Sequence, residues 1–391
     1  MLVTLIVFVA ILALLVLAHE AGHFVAARKN GIQVDEFGFG LPPRIFGAHV
    51  SRSGWSWIWG GRELTDAEKQ SGTVYSLNLI PLGGFVKIKG ENGDMADEPD
   101  SFGAKKIWQR AVVLVAGVSM NFILAAVLLG IGFIIGIPQS LDEVYRGAII
   151  KDAKIEVMSV LSGSPAEKAG IAAGDEILKA DDLDIQKVND LQNYVSGKNG
   201  QSVKFIFQRG GEIIIKEIIP YQLKTTKRGG IGIALLESGI VSYPWYLAFI
   251  YGFFAAGIFA WEVARTLWFL LAGLFQGQGS VAESLSGPVG IAVLTGRVAR
   301  LGFSHLMQFA AMLSINLAIL NILPFPALDG GRVLFLIIEK LRGKPLHRKF
   351  EEWAHTAGFA LLMILIIFVT YKDVIRFSSS FIRIGQKIIG G

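Results

Sequence analysis

VLAHEAGHFVAARKNG, residues 16–31, puts two histidines and a glutamate at the end of an almost uninterrupted apolar run, where charge is expensive. From Met1 to Ala18 the only polar side chain is Thr4, and apolar residues resume after His23 until Arg28 and Lys29. A helix rises about 1.5 Å per residue, so the run can cross a hydrocarbon core of roughly 30 Å. A secretory signal would carry its basic residues before the apolar core, whereas here they follow it. The reading is a retained span, with its N-terminus outside and Arg28 and Lys29 inside.

The other residues point to the same class. Of 391 residues, 52% are hydrophobic, and they are bunched in blocks. A net charge of +5 is modest, and its lysines and arginines flank apolar segments rather than forming a stripe, so nucleic acid is not expected as a partner. The lipid bilayer is. With no cysteine, disulfides and thiolate metal sites are excluded.

A second span is expected from Ala111 to Ile137, entered from the inside through Lys105, Lys106 and Arg110 and leaving at Pro138. Between the two spans, DEFGFGLPPRIFG and GTVYSLNLIPLGGFVKIKGE alternate in a β-favouring pattern. A β-hairpin dipping into the membrane against the first helix fits them, because non-helical backbone at that depth needs protein or a water-filled cavity beside it. Trp55, Trp57 and Trp59 read as one face of a strand near the interface. From Pro138 to about Glu237 the composition is that of a soluble domain, with a helix near Val188 to Val195 and a hairpin turning at Gly210 and Gly211. A third span, interrupted by NILPFPALDGG, and a fourth near Trp353 to Tyr371 follow. The apolar stretch Tyr243 to Phe275 contains Glu262 and Arg265; it is too short for two crossings, and one crossing would put residues before and after it on the wrong sides. Amphiphilic interfacial helices are expected there.

His19 and His23 are four apart, so on a helix they share a face one turn apart. That spacing suits two nitrogens on one Zn²⁺, and Glu20 beside them can take a proton from the attacking water. A hydrolytic zinc site asks for a third protein ligand, which without cysteine must be oxygen or nitrogen. Asp329 in NILPFPALDGG is the candidate: Pro324 and Pro326 break the helix there, and the basic flank Lys340 to Lys349 puts Asp329 near the same inner end as the histidines. His49, His305, His347 and His355 lack ligand spacing and read as solvated or interfacial.

With HEAGH, NILPFPALDGG, the intervening domain and LSGPVGIA (Leu285 to Ala292) taken together, the chain resembles the site-2 protease family of intramembrane zinc metalloproteases, in the manner of the bacterial regulator of sigma-E protease with a single PDZ domain. The resemblance implies His19, His23 and Asp329 as zinc ligands and Glu20 as general base. It implies Asn316 and Asn321 as groups that hold substrate or stabilise the oxyanion, and the strand LGGFVKIKG, with Gly84, Phe85 and Val86, as an edge offered to substrate. The domain resembles a circularly permuted PDZ domain, with RGGIGIAL near Gly230 as its ligand-accepting strand. Val118 follows Gly117 where the family commonly has proline, and Asn121 remains.

The expected fold class is therefore a polytopic α-helical membrane protein of four spans, with a membrane-associated β-hairpin region and one extracytoplasmic α/β PDZ domain. Its expected divisions are 1–30, the first helix; 31–104, the β-rich region; 105–137, the second helix; and 138–237, the PDZ domain. Then come 238–303, the interfacial helices; 304–340, the third segment; and 341–391, an inner loop, the fourth helix and the tail. The expected activity is cleavage of single-span membrane proteins, such as an anti-sigma factor or remnant signal peptide, in a bacterial inner membrane. The zinc site lies near the cytoplasmic side, and the PDZ domain outside meets a peptide or the substrate's periplasmic part. Two other readings are a PDZ membrane adaptor with a dead metal site, against which the intact ligand set argues, and a metal or proton transporter. A transporter needs polar residues along a full path, and the outer half of the first span has none.

Overall fold

A computed structural model describes residues 2–51, 54–62, 65, 72–91, 98–185, 187–222, 229–275, 287–344 and 346–389. The chain forms two compact units, one of residues 1–130 and 252–391 and the other of residues 131–251.

In the first unit, helix α1 (Leu2–Lys29) is the apolar run that ends in HEAGH. Three strands follow, β1 (Val34–Ser51), β2 (Gly54–Trp59) and β3 (Gly72–Ile88), in the order β2-β1-β3. The region is more elaborate than the expected hairpin. β1 bends at Pro42 and Pro43, and both of its arms pair with the first part of β3, Phe37 and Ala48 flanking Tyr75; the first arm pairs on its other side with the last part of β3, Phe37 with Val86 and Phe39 with Gly84. Prolines without an N–H bend the long strand and leave both of its arms in the sheet. The arm Gly84–Ile88 pairs on one side with Val34–Phe39 and has no strand on its other side among the described residues. Trp55, Trp57 and Trp59 alternate along β2 and are exposed, while Ile58 between them is buried.

Helix α2 (Ile107–Ile135) lies against α1 in the opposite direction. The two backbones nearly touch: a Cβ at Gly22 would come within 2.3 Å of the Ala116 carbonyl oxygen. Where α1 ends and α2 begins, Ala26, Ala27, Ile32, Ile88, Phe102, Val113 and Leu336 form one core.

The second unit begins within α2 and continues through β4 (Ile137–Ser140), β5 (Ile149–Val160), α3 (Pro165–Lys168), β6 (Glu176–Ala180), β7 (Leu183–Asp184), α4 (Val188–Gly197), β8 (Val203–Arg209) and β9 (Glu212–Ile218). Next are β10 (Tyr221–Gln222), β11 (Gly229–Gly230) and β12 (Ile233–Ser242). The main sheet runs β4-β12-β5-β6-β8-β9, with β7 paired to β6. Its core holds Val157, Ile177, Leu191, Val195, Phe205 and Phe207. SPAE starts α3 as a capping box, the Ser164 hydroxyl accepting from Glu167 N–H and the Glu167 carboxylate from Gly163 N–H. The β8–β9 hairpin turns at Gly210 and Gly211, as the sequence indicates.

The chain returns to the first unit within α5 (Trp245–Phe275), then forms α6 (Pro288–Leu301), α7 (Phe303–Ile322), α8 (Asp329–Arg342) and α9 (Arg348–Ile389). In place of several amphiphilic interfacial helices, α5 is a single apolar helix of 31 residues. Glu262 and Arg265 do not interrupt it because they are three apart and pair with each other at 3.4 Å on an exposed face. It packs on α2 through Gly252 against Ala126 and Gly130, and through Phe253 against Phe122. Among the described residues, five helical stretches are long and apolar enough to cross a membrane: Val3–Lys29, Ile107–Ile135, Trp245–Leu270, Phe303–Ile322 and Arg348–Arg376. Leu285 and Ser286 of LSGPVGIA lie outside the described residues, and its remainder opens α6.

Candidate metal centre

The HEAGH turn is deep in α1. His19 and His23 are 7% and 6% exposed, and their rings meet edge to face with centroids 4.7 Å apart. They fit because residue 117 of α2 is glycine; a Cβ there would stand 2.3 Å from His23 Nε2 and 2.8 Å from His19 Cε1. Opposite them, α7 ends at Ile322 and α8 begins at Asp329. The proline-broken segment between these helices puts Asp329 in the first turn of α8, where its carboxylate reaches back to the histidines.

Asp329 Oδ2 is 3.0 Å from His19 Nε2 and 3.4 Å from His23 Nε2, and the two nitrogens are 3.2 Å apart. Ligand atoms about 2.0–2.1 Å from a tetrahedral zinc ion stand roughly 3.3 Å from one another. The three separations match that spacing. Oδ2 is also buried with no hydrogen-bond partner, a costly arrangement for a carboxylate oxygen unless a cation satisfies it. The donor set, two imidazoles and a carboxylate, suits zinc. His19, His23 and Asp329 are the one group of potential ligands gathered in this way among the described residues.

The surrounding groups orient these ligands. His23 Nδ1 donates to the Val113 carbonyl oxygen at 2.8 Å, leaving the Nε2 lone pair for a metal. The side-chain amide of Asn121, fully buried on α2, lies 3.3 Å from His19 Nδ1. Its Oδ1 has no partner, so the amide orientation with Oδ1 toward Nδ1–H satisfies both groups and leaves His19 Nε2 free. Ser314 of α7 donates to the Asn121 backbone carbonyl at 2.8 Å. Asn121 and Val113 were not among the expected site residues, and for the Val113 carbonyl no sequence signal exists.

Of the expected substrate-binding residues, Asn321 comes to the site, its Nδ2 3.3 Å from His19 Nε2. Asn316 is half-buried on α7 and makes no hydrogen bond among the described residues. Gly84 brings the unpaired arm of β3 beside the base candidate, since a Cβ on Gly84 would lie 3.9 Å from Glu20 Cγ. Phe85 turns its ring over Gly38, and Val86 packs at the margin of the core around Ala27 and Val113.

The pattern of peptidase family M50 matches residues 7–60 and 57–365. The chain belongs to peptidase family M50. A relative from Clostridium perfringens that carries a zinc metalloprotease name is 34% identical over 363 residues, 92% of this chain and 95% of its own length. Zinc metalloprotease RasP of Oceanobacillus iheyensis is 30% identical, covering 95% of this chain and 99% of its own. The regulator of sigma-W protease RasP of Bacillus subtilis is 29% identical, covering 95% and 98%. A PDZ-domain crystal structure from an SdrC-like protein of Listeria monocytogenes aligns with 24% of this chain and 90% of its own at 27% identity, with a TM-score of 0.20. Family membership makes this M50 peptidase a zinc metalloprotease, and its apolar helices make it a multi-pass membrane protein.

Proposed function

We propose that this M50 peptidase cleaves single-span membrane proteins within the bilayer, with His19, His23 and Asp329 as its zinc ligands and Glu20 as its general base. The observation that carries this reading is the convergence of the three ligand atoms beside Glu20 and the unpaired strand arm at Gly84. Bound zinc supplies Lewis acidity for hydrolysis of a peptide bond.

Glu20 accepts the proton of the attacking water on its carboxylate and returns it to the leaving amine. A helical substrate hides its peptide bonds, so it has to unwind near Glu20. The free edge of Gly84–Lys87 offers N–H and C=O partners to the unwound backbone, which has no water to turn to at that depth. Asn321, at His19, is placed to donate its amide to the developing oxyanion, and the unpaired amide of Asn316 is available to the substrate chain.

Sidedness follows from how the helix ends gather. Arg28 and Lys29, Lys105 and Lys106, and Arg342 all flank the core shared by Ala27, Phe102, Ile107 and Leu336, which supports reading that end as cytoplasmic. Thr4 packs on Gly296 at the other end, so the chain leaves α2 and re-enters α7 on the same, outer side. On this account residues 131–251 are extracytoplasmic, in a bacterial inner membrane. That unit is read as a permuted PDZ domain because, among the described residues, Ile233–Leu236 of β12 pair only with β5, leaving one edge beside α4. A cavity of about 250 Å³, lined by Leu191, Val195, Ile231, Ile233 and Leu235, runs along that edge. An extended peptide, such as the outer part of the substrate, would add there as a strand.

The relative from Bacillus subtilis is named a regulator of sigma-W, which favours an anti-sigma factor as the substrate of this chain too. The test is a purified chain offered a single-span reporter in micelles. Chelation should abolish cleavage and zinc should restore it, with product termini inside the apolar segment. Termini in the soluble part alone would contradict an intramembrane activity.

A further inference from the structure

The segment that delivers Asp329 contains a conformation its own sequence does not favour. Ala327 has φ +80°, and it is the one non-glycine residue with positive φ among those described in its unit. A side chain in that left-handed region is strained and persists only where the surroundings impose it. Pro324 and Pro326 have no N–H, so four donors remain between Ile322 and Asp329, of which Leu323 donates back into α7, to the Leu320 carbonyl oxygen at 3.1 Å. Phe325 and Leu328 donate within the segment, at 2.7 Å to Leu323 and 3.1 Å to Phe325. Ala327 donates out of it, to His355 Nδ1 of α9 at 2.9 Å.

We propose that His355 is a positioning residue for Asp329: by accepting the Ala327 N–H it holds the left-handed bend that carries the carboxylate to His19 and His23. Two further contacts support this role. Gly358, nearly one turn on, lets the α9 backbone press against the bend, and a Cβ there would meet the Pro326 carbonyl oxygen at 2.4 Å. Phe335 of α8 stands edge-on to the imidazole, centroids 5.4 Å apart at 84°, and fixes its plane. The last apolar helix thus acts on the metal centre through a backbone hydrogen bond two residues from a ligand.

The inference rests on Asp329 being a zinc ligand, and the test separates the two. Zinc affinity of the purified full-length chain in micelles is measured by competition with a chelating dye, and size-exclusion and melting profiles report folding. His355→Ala should weaken zinc binding about tenfold, the order found when an outer-shell partner is lost. His355→Asn, whose Oδ1 accepts at nearly the same place, should stay within about twofold of the unaltered chain. Ala327→Gly, which makes positive φ free of strain, should restore most of the affinity in the His355→Ala background. Packing loss alone would be rescued by neither change, so failure of both rescues overturns the proposal. So does undiminished affinity in His355→Ala while Asp329→Ala loses zinc. Zinc retained by Asp329→Ala would instead remove the ligand assignment, and the proposal with it.

Discussion

His23 of the first helix and Val113 of the second are joined by a 2.8 Å hydrogen bond from imidazole Nδ1 to the backbone carbonyl oxygen. The bond fixes which nitrogen is free, and it ties a ligand's orientation to the packing of two helices across the Gly22 and Gly117 contacts.

Changes at that contact should therefore appear first in metal affinity. Gly117→Ala inserts a methyl against both imidazoles, and zinc binding should fall by about tenfold or more while the fold survives. Asn121→Leu should weaken zinc similarly by removing the partner of His19 Nδ1–H, whereas Asn121→Asp keeps an acceptor and should hold zinc. Chelator competition measures all three; equal affinity in Asn121→Leu would remove Asn121 from the site.

The Gly84–Ile88 arm, with its one free edge among the described residues, is anchored just beyond Ile88. Glu91, three residues past Ile88, pairs with Arg332, one turn after Asp329, and the two side chains are partly buried. Glu339 on the same face of α8 pairs with Arg110 at 2.5 Å. Loss of the first pair, worth about 1 kcal/mol, should lower kcat/KM for a membrane reporter roughly fivefold in Glu91→Arg with zinc content unchanged. The exchange Glu91→Arg with Arg332→Glu should recover most of it. Absence of recovery would show that Arg332 acts separately from Glu91.

In the unit of residues 131–251, Arg209 grips Asp175 through Nε and Nη2 at 2.6 and 2.7 Å, and Ala172 N–H donates to the same carboxylate at 2.9 Å. Arg209 beside it holds the Asp175 carboxyl below the ordinary carboxylate range. A depressed folded value contributes stability that is complete above the unfolded value of about 4 and is lost as pH falls through the folded one. The stability of the β8 strand, read as the protection of its amides relative to their intrinsic exchange rate at each pH, should accordingly fall in acid below about pH 4. Asp175→Asn should destabilise the unit by about 2 kcal/mol at neutral pH and flatten that acid response. An unchanged acid profile in the variant would mean that another group carries it.

The absence of cysteine makes topology directly testable. Single cysteines at Glu212 and Leu301 should both react with a membrane-impermeant reagent from outside, and one at Arg342 should not. Protection of Leu301 together with reaction of Glu212 would give an odd number of crossings between α2 and α7 and break the proposed sidedness.

Much of this arrangement is readable in the residues, and the rest depends on contacts distant in sequence. HEAGH brings two candidate ligands and a candidate base together by helical spacing, and NILPFPALDGG announces a broken helix bearing a carboxylate. Gly210 and Gly211 mark their hairpin because turn chemistry is local. The bend of β1 is harder to read, since prolines that usually end a strand here fold it across β3. Tyr243 to Phe275 misleads through Glu262 and Arg265, whose mutual pairing on one helix face cancels their value as an interface signal. His355 has no ligand spacing and reads as a bland interfacial residue; its bond to Ala327 exists only once α9 has packed on the bend.

The central claim is that His19, His23 and Asp329 hold zinc and that Glu20 performs the proton transfer beside it. It is tested most directly by measuring zinc content and reporter cleavage together in Glu20→Gln. The ligands survive that substitution while the base is lost, so the variant should retain about one zinc per chain and lose roughly a thousandfold or more in cleavage rate. A Glu20→Gln chain that binds zinc and cuts the reporter at nearly the unaltered rate would contradict the account.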